Sequence, residues 1–312
     1  MQIVRGYQAV PDSARGAVLA IGNFDGVHRG HQALLAAAGE EARRRGCLAG
    51  VLVFEPHPRE FFQPDKPHFR LTSLPLKLKL LQRFGLDVAV VLAFDEDLAS
   101  LPAETFIERV LVRGLGASHI VVGYDFRFGK GRGGDPDTLV RAGRVHGFGV
   151  TVVPQIAEAG EVFSSSAVRA ELAMGDVAGA AQMLGHWWRI SGKVVGGAQR
   201  GAGLGYPTAN IVLDASTALA HGIYAVRVYA GTEAYQGAAY LGTRPTFDEG
   251  SPVLEIFLFD FEGDLYGREL EVEFIDFIRA DRRFPGPEAL KAQMDRDCAQ
   301  ASKILARAPA TP

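Results

Sequence analysis

Cysteine is nearly absent: the 312 residues hold two, Cys47 and Cys298, far apart and without Cys-x-x-Cys spacing. That excludes a disulfide framework or a thiolate metal cluster and reads as two reduced thiols of a cytoplasmic protein. No apolar run approaches the ~18 residues that a membrane-spanning helix needs, so no membrane partner is expected. The opening Met1-Gln2-Ile3-Val4-Arg5 lacks the apolar core of a signal peptide, which again makes the cytoplasm the expected location. Nor is there an excess of positive charge. Lys and Arg number 33 against 36 Asp and Glu, for a net charge of −3, so nucleic acid is not an expected partner. Hydrophobic residues at 47% and charged ones at 22% are ordinary for a globular chain, and 312 residues suggest two domains.

The densest run of informative residues is Ile21-Gly22-Asn23-Phe24-Asp25-Gly26-Val27-His28-Arg29-Gly30-His31. Before it, Ala17 to Ile21 reads as a short buried strand; after it, Gln32 to Ala38 is rich in strong helix formers. Glycines 22, 26 and 30 permit sharp turns and close approach of an anion to the main chain. The N-terminus of a helix attracts phosphate, and His28 and His31, three residues apart, fall on one helical face aimed at the same anion. A single histidine beside a glycine would read as a surface or capping residue; two in His-x-Gly-His after Gly-x-Phe-Asp-Gly read as a grip on a nucleoside triphosphate. The stretch resembles the phosphate-binding signature of the nucleotidyltransferase superfamily. It is not a P-loop, because the lysine and the following Ser/Thr are missing. Nor is it a zinc site, for want of further ligands at metal spacing.

Further along, Leu48 to Phe54 is a second buried strand running into Glu55-Pro56-His57-Pro58-Arg59, whose alternate prolines predict an extended, rigid segment. A helix over Leu74 to Phe84, a strand at Val88 to Leu92, a helix over Ala103 to Leu115 and strands at Ile120 to Val122 and Val150 to Val153 complete an alternating pattern. That pattern means a parallel sheet covered by helices, with ligands gathered at the carboxyl ends of the strands. Gly123 to Asp135 carries five glycines and three cations, which fits either a mobile basic loop near an anion or a solvated connection. Ser164-Ser165-Ser166-Ala167-Val168-Arg169 opens a helix that stops near Gly175. The serines are natural N-caps, and Arg169 could reach a phosphate at the same helix end.

Taken in order, Gly-Asn-Phe-Asp-Gly-Val-His-Arg-Gly-His, Phe-Glu-Pro-His-Pro, Gly-Tyr-Asp-Phe-Arg-Phe-Gly and Ser-Ser-Ser-Ala-Val-Arg resemble the adenylyltransferase half of bacterial bifunctional FAD synthetases. The resemblance implies that His28, His31 and Arg169 hold the ATP phosphates. Gly22, Asn23, Phe24, Asp25, Asp125, Ser164 and Ser165 would complete that ATP site. It also implies that a flavin lies against an apolar wall of Phe54, Pro56, Pro58, Phe62 and Phe128. Ser166 stands where many members have threonine and keeps the hydroxyl.

Near residue 185 the texture changes to short strands and glycine turns, so the expected domains are 1–185 and 186–312. Six glycines within residues 192–205 form a flap whose N–H groups could cradle phosphates, or a plain flexible connection. Gly192, Gly201, Gly203 and Gly205, with Lys193, are its candidate ATP contacts. Pro207 then fixes the backbone, and Thr208 and Asn210 offer two neutral oxygens on one side of an extended segment. Such a pair suits Mg²⁺ already carried by a nucleotide. Strands are expected at 189–195, 223–229, 235–241, 253–261 and 270–277, with one helix over Pro287 to Leu305. Together they make a small antiparallel barrel capped by a helix. Within Val253 to Phe259, Glu255 is the single charge; it is either salt-bridged, with Arg244 or Arg279, or a base.

Gly-x-Gly-Tyr-Pro-Thr-Ala-Asn, Gly-Ile-Tyr-Ala-Val, Leu-Gly-x-Arg-Pro-Thr-Phe, Leu-Glu-Ile-Phe-Leu-Phe-Asp-Phe and Asp-Leu-Tyr-Gly resemble riboflavin kinase over residues 187–305. That resemblance implies Glu255 as general base and Thr208 and Asn210 as the Mg-ATP contacts. Tyr240 and Phe257 depart from it, standing where many members have asparagine and histidine. The combined expectation is an α/β plus β chain. A Rossmann-like nucleotidyltransferase domain precedes a β-barrel kinase domain, and the two convert riboflavin to FMN and FMN to FAD with ATP and Mg²⁺. Two alternatives remain at this point: an adenylyltransferase for another phosphate-bearing substrate, whose barrel is a flavin-responsive regulatory module without activity, and a flavin carrier or structural adaptor. The residues leave the oligomeric state open, a homo-oligomer included.

Overall fold

The computed structural model describes residues 1–158, 161–196, 206–243 and 252–312. The glycine flap with Gly201, Gly203 and Gly205, and also Arg244, lies outside the described residues. Two compact units form, Met1–Lys66 with Lys77–Phe163, and Pro67–Leu76 with Ser164–Pro312.

In chain order the first unit contains β1 (Gln2–Arg5), β2 (Val18–Ile21), α1 (Arg29–Arg45), β3 (Ala49–Glu55) and α2 (Pro58–Phe62). The greater part of α3 (Leu74–Arg83) follows, then β4 (Val88–Ala93), α4 (Glu96–Ala99), α5 (Ala103–Phe106), β5 (His119–Gly123), α6 (Pro136–His146) and β6 (Gly149–Val153). A small hairpin, β7 (Ala157–Glu158) and β8 (Glu161–Val162), ends it. The helix begun by α5 continues through Ile107–Gly114 as a wider-wound segment. The sheet is parallel with order β1-β4-β3-β2-β5-β6. From β2 the chain builds outward through β3 and β4, then returns to place β5 and β6 on the other side. The order of winding therefore reverses between β2 and β5, and ligands of such sheets bind in the crevice at that reversal. The runs Val18–Ile21 and Val51–Val53 are buried on both faces, as strands covered by helices must be. Leu19, Ile21, Leu52, Val90 and Ile120 pack with Phe106, Val110 and Leu111.

One local expectation fails. The Pro56–Arg59 stretch does not stay extended: His57 caps α2 by accepting from the Arg59 N–H (3.1 Å), and Pro58 takes the first helical position. Proline suits that position, since its missing N–H would have no helical partner there.

The second unit begins with α7 (Ser165–Met174) and α8 (Val177–Leu184), each closed by a left-handed glycine, Gly175 and Gly185. Six antiparallel strands follow: β9 (Arg189–Lys193), β10 (Ala209–Val212), β11 (Gly222–Ala230), β12 (Glu233–Thr243), β13 (Pro252–Leu258) and β14 (Glu269–Ala280). Their order is β10-β13-β12-β11-β14-β9, and a bridge between Val195 and Asn210 brings the two ends together into a nearly closed barrel. Ile211, Tyr224, Leu254, Ile256 and Phe274 fill its interior, joined by Val168 and Leu172 of α7. The helix α9 (Pro287–Arg307) covers the outer face, where Ala301 and Leu305 meet Ala225, Ala238 and Ile275. Helices α7 and α8 thus pack with the barrel, ahead of the change of texture at residue 185.

Gly192 sits in the seam. A Cβ there would stand 2.3 Å from Ile211 Cγ2, an atom on a β-branched side chain that cannot swing aside. Gly192→Ala is therefore expected to destabilise the barrel by about 1–3 kcal/mol through overpacking. Urea unfolding followed by tryptophan fluorescence reads this unit alone, since both tryptophans, Trp187 and Trp188, belong to it. An unchanged midpoint would contradict the tight seam.

Candidate functional site

At the carboxyl end of β2 the chain turns sharply. Phe24, Gly26 and Val27 take left-handed backbone (φ 48°, 81° and 47°), with Phe24 and Val27 fully buried. His28 is the N-cap of α1: its Nδ1 accepts the His31 N–H at 3.3 Å, which leaves the ring proton on Nε2. The two imidazoles stack with centroids 3.7 Å apart, and His31 leans on the Phe24 ring at 5.0 Å. His31 Nδ1 is buried with no hydrogen-bond partner among the described residues. Burial lowers the His28 pKa to about 4. His31 is held well below its usual value by burial and then by the neighbouring His28 and Lys77. Both rings are neutral near pH 7, so they act as hydrogen-bond donors and not as cations.

A pH dependence follows. An unfolded histidine titrates near 6.5 and folded His28 near 4, so between these values the unfolded chain binds more protons and stability rises with pH. The contribution, about 3 kcal/mol, is complete above pH 6.5 and lost as pH falls toward 4. His28→Asn keeps a good N-cap but removes the titration. Urea transitions followed by circular dichroism are expected to weaken less on acidification in this variant. Parallel losses in the two proteins would rule out His28 as the source.

Sequence reasoning missed Lys77. Its Nζ donates to the Asn23 carbonyl at 2.7 Å, and the residue is only 3% exposed. The signal was present: Leu74, Lys77, Leu78 and Leu81 share the i, i+3, i+4, i+7 stripe, so this lysine lies on an apolar face.

Because β2 and β5 are paired, Gly22–Asp25 and Gly123–Asp125 leave the sheet side by side. Asp125 is exposed there. The loop beyond it is anchored: Phe128 and Gly134 form a bridge, and the Phe128 ring stacks on Phe126 and meets Phe106. Of the expected apolar wall, Phe54 and Phe128 are buried in the core, Pro58 is half-buried, and Pro56 and Phe62 are exposed, Phe62 at 63%. Phe62 and Phe54 each meet Phe94 edge-on, at 5.6 and 5.8 Å, a ring the sequence reading omitted.

In the second unit Ser164 caps α7, its Oγ accepting the Ala167 N–H at 3.2 Å, with Ser165 next in the first turn. Arg169, one turn along, donates from Nε to the Phe69 carbonyl at 2.6 Å.

On the barrel, strand alternation sends Leu254 and Ile256 inward and Glu255 outward. Glu255 stands opposite Asn210 on β10 and opposite Tyr240 on β12, so the three share one face. Asn210 is buried and its Nδ2 donates to the Thr208 carbonyl at 3.3 Å, which makes Oδ1 the acceptor end of that amide. Arg279 is not the counter-ion of Glu255. Its guanidinium grips Asp297, Nη2 to Oδ2 at 2.7 Å, and two strands, β12 and β11, separate its strand β14 from β13. At ~4.8 Å per strand that is about 14 Å, beyond ion-pair reach.

Pro207 and Thr208 line a cavity of about 420 Å³ together with Phe261, Asp264 and Tyr266. The segment is tied to α9: the Tyr206 hydroxyl donates to Asp295, and its ring meets Phe257 at 4.8 Å. Burial and the adjacent carboxylate raise the Tyr206 pKa to about 12. Gly192 and Lys193 are paired with Leu270 and Glu269 within the sheet, Lys193 exposed. Among the described residues no group of three or more His, Cys, Asp or Glu could hold a metal ion. Neutral oxygens such as those of Thr208 and Asn210 match a hard cation that arrives with its own phosphate ligands.

Comparison with known proteins is consistent along the whole chain. A family model described as FAD synthetase matches residues 10–167, and one described as riboflavin kinase matches residues 184–305. The bifunctional riboflavin kinase/FMN adenylyltransferase of Escherichia coli strain K12 is 43% identical, covering 95% of this chain and 96% of that protein. Those of Pseudomonas fluorescens and Bacillus subtilis strain 168 are 42% and 35% identical, each covering 98% of both chains. A solved structure described as a macrolide-efflux protein from Streptococcus pneumoniae has the same fold, with TM-score 0.84 and 29% identity over 95% of this chain and 97% of the other. On the strength of both domain matches, in this order and over nearly its full length, the chain belongs to the bifunctional riboflavin kinase/FMN adenylyltransferase family.

Proposed function

We propose that the two units divide two successive transfers from ATP, with riboflavin phosphorylated on the outer face of the barrel and FMN adenylylated at the turn between β2 and α1. The observation that carries this division is that Gly22–His31 and the Thr208–Asn210–Glu255 group lie in different compact units. In the barrel, Glu255 accepts the proton of the ribityl 5′-hydroxyl as that oxygen attacks the γ-phosphorus, and ADP leaves. Thr208 and Asn210 would hold the Mg²⁺ that accompanies ATP, and the ion would offset charge on the phosphates. The nucleotide enters the cavity that Thr208 lines.

In the first unit an FMN phosphate oxygen attacks the α-phosphorus of a second ATP and pyrophosphate departs. That oxygen is already anionic, so no base is required, and catalysis consists of positioning and charge stabilisation. The amides at the α1 N-terminus and the His28 and His31 N–H groups supply it. The exposed Phe62 and Pro56 give the flavin ring a face to lie on. Among the described residues no helix is long and apolar enough to cross a membrane. The test is a crossed pair of substitutions, one per unit, assayed separately with riboflavin and with FMN.

A further inference from the structure

The turn that receives the phosphates is held at both ends by side chains from outside it. Phe24 and Val27 adopt left-handed backbone that aromatic and β-branched residues avoid, and such turns persist only where their surroundings over-determine them. Gln32 Nε2 donates to the Val27 carbonyl at 2.9 Å, and Lys77 Nζ donates to the Asn23 carbonyl at 2.7 Å. The two tethers are not alike. Gln32 is a neutral amide one turn into α1, whereas Lys77 brings an ammonium from the apolar face of α3, 3% exposed, between Leu76, Leu78 and Leu81, each under 9% exposed. The ammonium also acts on His31, helping to hold that ring below its usual pKa, so its charge is felt at the turn. Violations of apolar patterning of this kind concentrate at functional sites.

We propose that Lys77 is a positioning residue of the adenylyl-transfer site. Its ammonium locks the Asn23 carbonyl so that the N–H groups of the turn stay directed at the polyphosphate. It also places a fixed positive charge behind the turn, favouring departure of pyrophosphate. This rests on placing adenylyl transfer at the β2–α1 turn.

The experiment compares Lys77→Met, Lys77→Gln and Lys77→Arg in the full chain, with FMN and Mg-ATP. Lys77→Met is expected to lower kcat for FMN adenylylation about 100-fold, as loss of a preorganised electrostatic contact does. The KM for FMN should change less than threefold, and riboflavin phosphorylation should stay within twofold of wild type. Lys77→Arg should recover at least tenfold over Lys77→Met, and Lys77→Gln, which restores a donor without charge, should not. A merely structural lysine predicts a different pattern, in which activity follows the urea midpoint of each variant. Adenylylation by Lys77→Met within threefold of wild type overturns the proposal, as does equality of the arginine and glutamine variants. If Lys77→Met fails to fold, the arginine–glutamine comparison decides alone. The underlying site assignment fails separately, if His31→Ala leaves FMN adenylylation intact.

Discussion

Glu255→Gln is expected to reduce phosphorylation of riboflavin by about 10²–10⁴-fold, the range for loss of a general base, while adenylylation of supplied FMN proceeds at the wild-type rate. The carboxylate sits mid-strand in β13, and its two sequence neighbours, Leu254 and Ile256, are fixed in the barrel core. That packing sets the outward direction of Glu255 and its register opposite Asn210. Glutamine preserves shape and hydrogen bonding at a half-buried position, so the fold should be unaffected. The effect should appear in kcat, with the KM for riboflavin within a few fold, because the proton is accepted only as the hydroxyl attacks. High-performance chromatography of products from riboflavin and from FMN, each with Mg-ATP, separates the two steps. Equal loss of both would show that the units do not work independently, and kinase activity within tenfold of wild type would remove Glu255 from the base role.

The architecture was legible where apolar runs are continuous. Val18–Ile21, Ala49–Phe54 and Val88–Leu92 contain little besides buried aliphatic residues, and a strand covered on both faces has to be written that way. The edge strand β1 was not legible, since of Gln2–Arg5 only Val4 is buried. Helix α6 was also missed, although Asp135 caps it and Pro136 opens it, because its buried stripe is no wider than Pro136, Leu139 and Gly143. In the barrel the alternation of β11 to β14 was clear, but nothing in the composition told that Gly192 belongs to the seam beside Ile211 and not to a flap.

The sites divide in the same manner. Local motifs put His28, His31, Thr208, Asn210 and Glu255 on their elements, because the histidines open a helix, Thr208 and Asn210 flank the start of a strand, and Glu255 interrupts an apolar strand run. Contacts between residues distant in sequence escaped: Lys77 on Asn23, Phe94 beside Phe54, and Asp297 as the partner of Arg279. Glu255 and Arg279 are a reminder that two charges on neighbouring segments of a barrel sequence can be three strands apart in the sheet.

His31→Ala should have the opposite selectivity to Glu255→Gln, lowering kcat/KM for FMN adenylylation by about 10²–10³-fold and leaving FMN formation from riboflavin intact. The ring does two things. It carries a donor to the anion at the α1 N-terminus, and by stacking on His28 at 3.7 Å it fixes the orientation of the second donor. Protonation is the wrong source of its strength, since burial, His28 and Lys77 all hold the ring neutral. The pH profile discriminates. Cationic imidazoles would lose activity as pH rises through 6.5. Neutral donors give a rate that is flat across neutral pH and falls only on acidification toward pH 4, where His28 takes up a proton and can no longer accept the His31 N–H. A loss of adenylylation between pH 6 and 7.5 that disappears in His28→Asn would mean that the pair works as a charge, and the capture of phosphate would then have to be rebuilt around it.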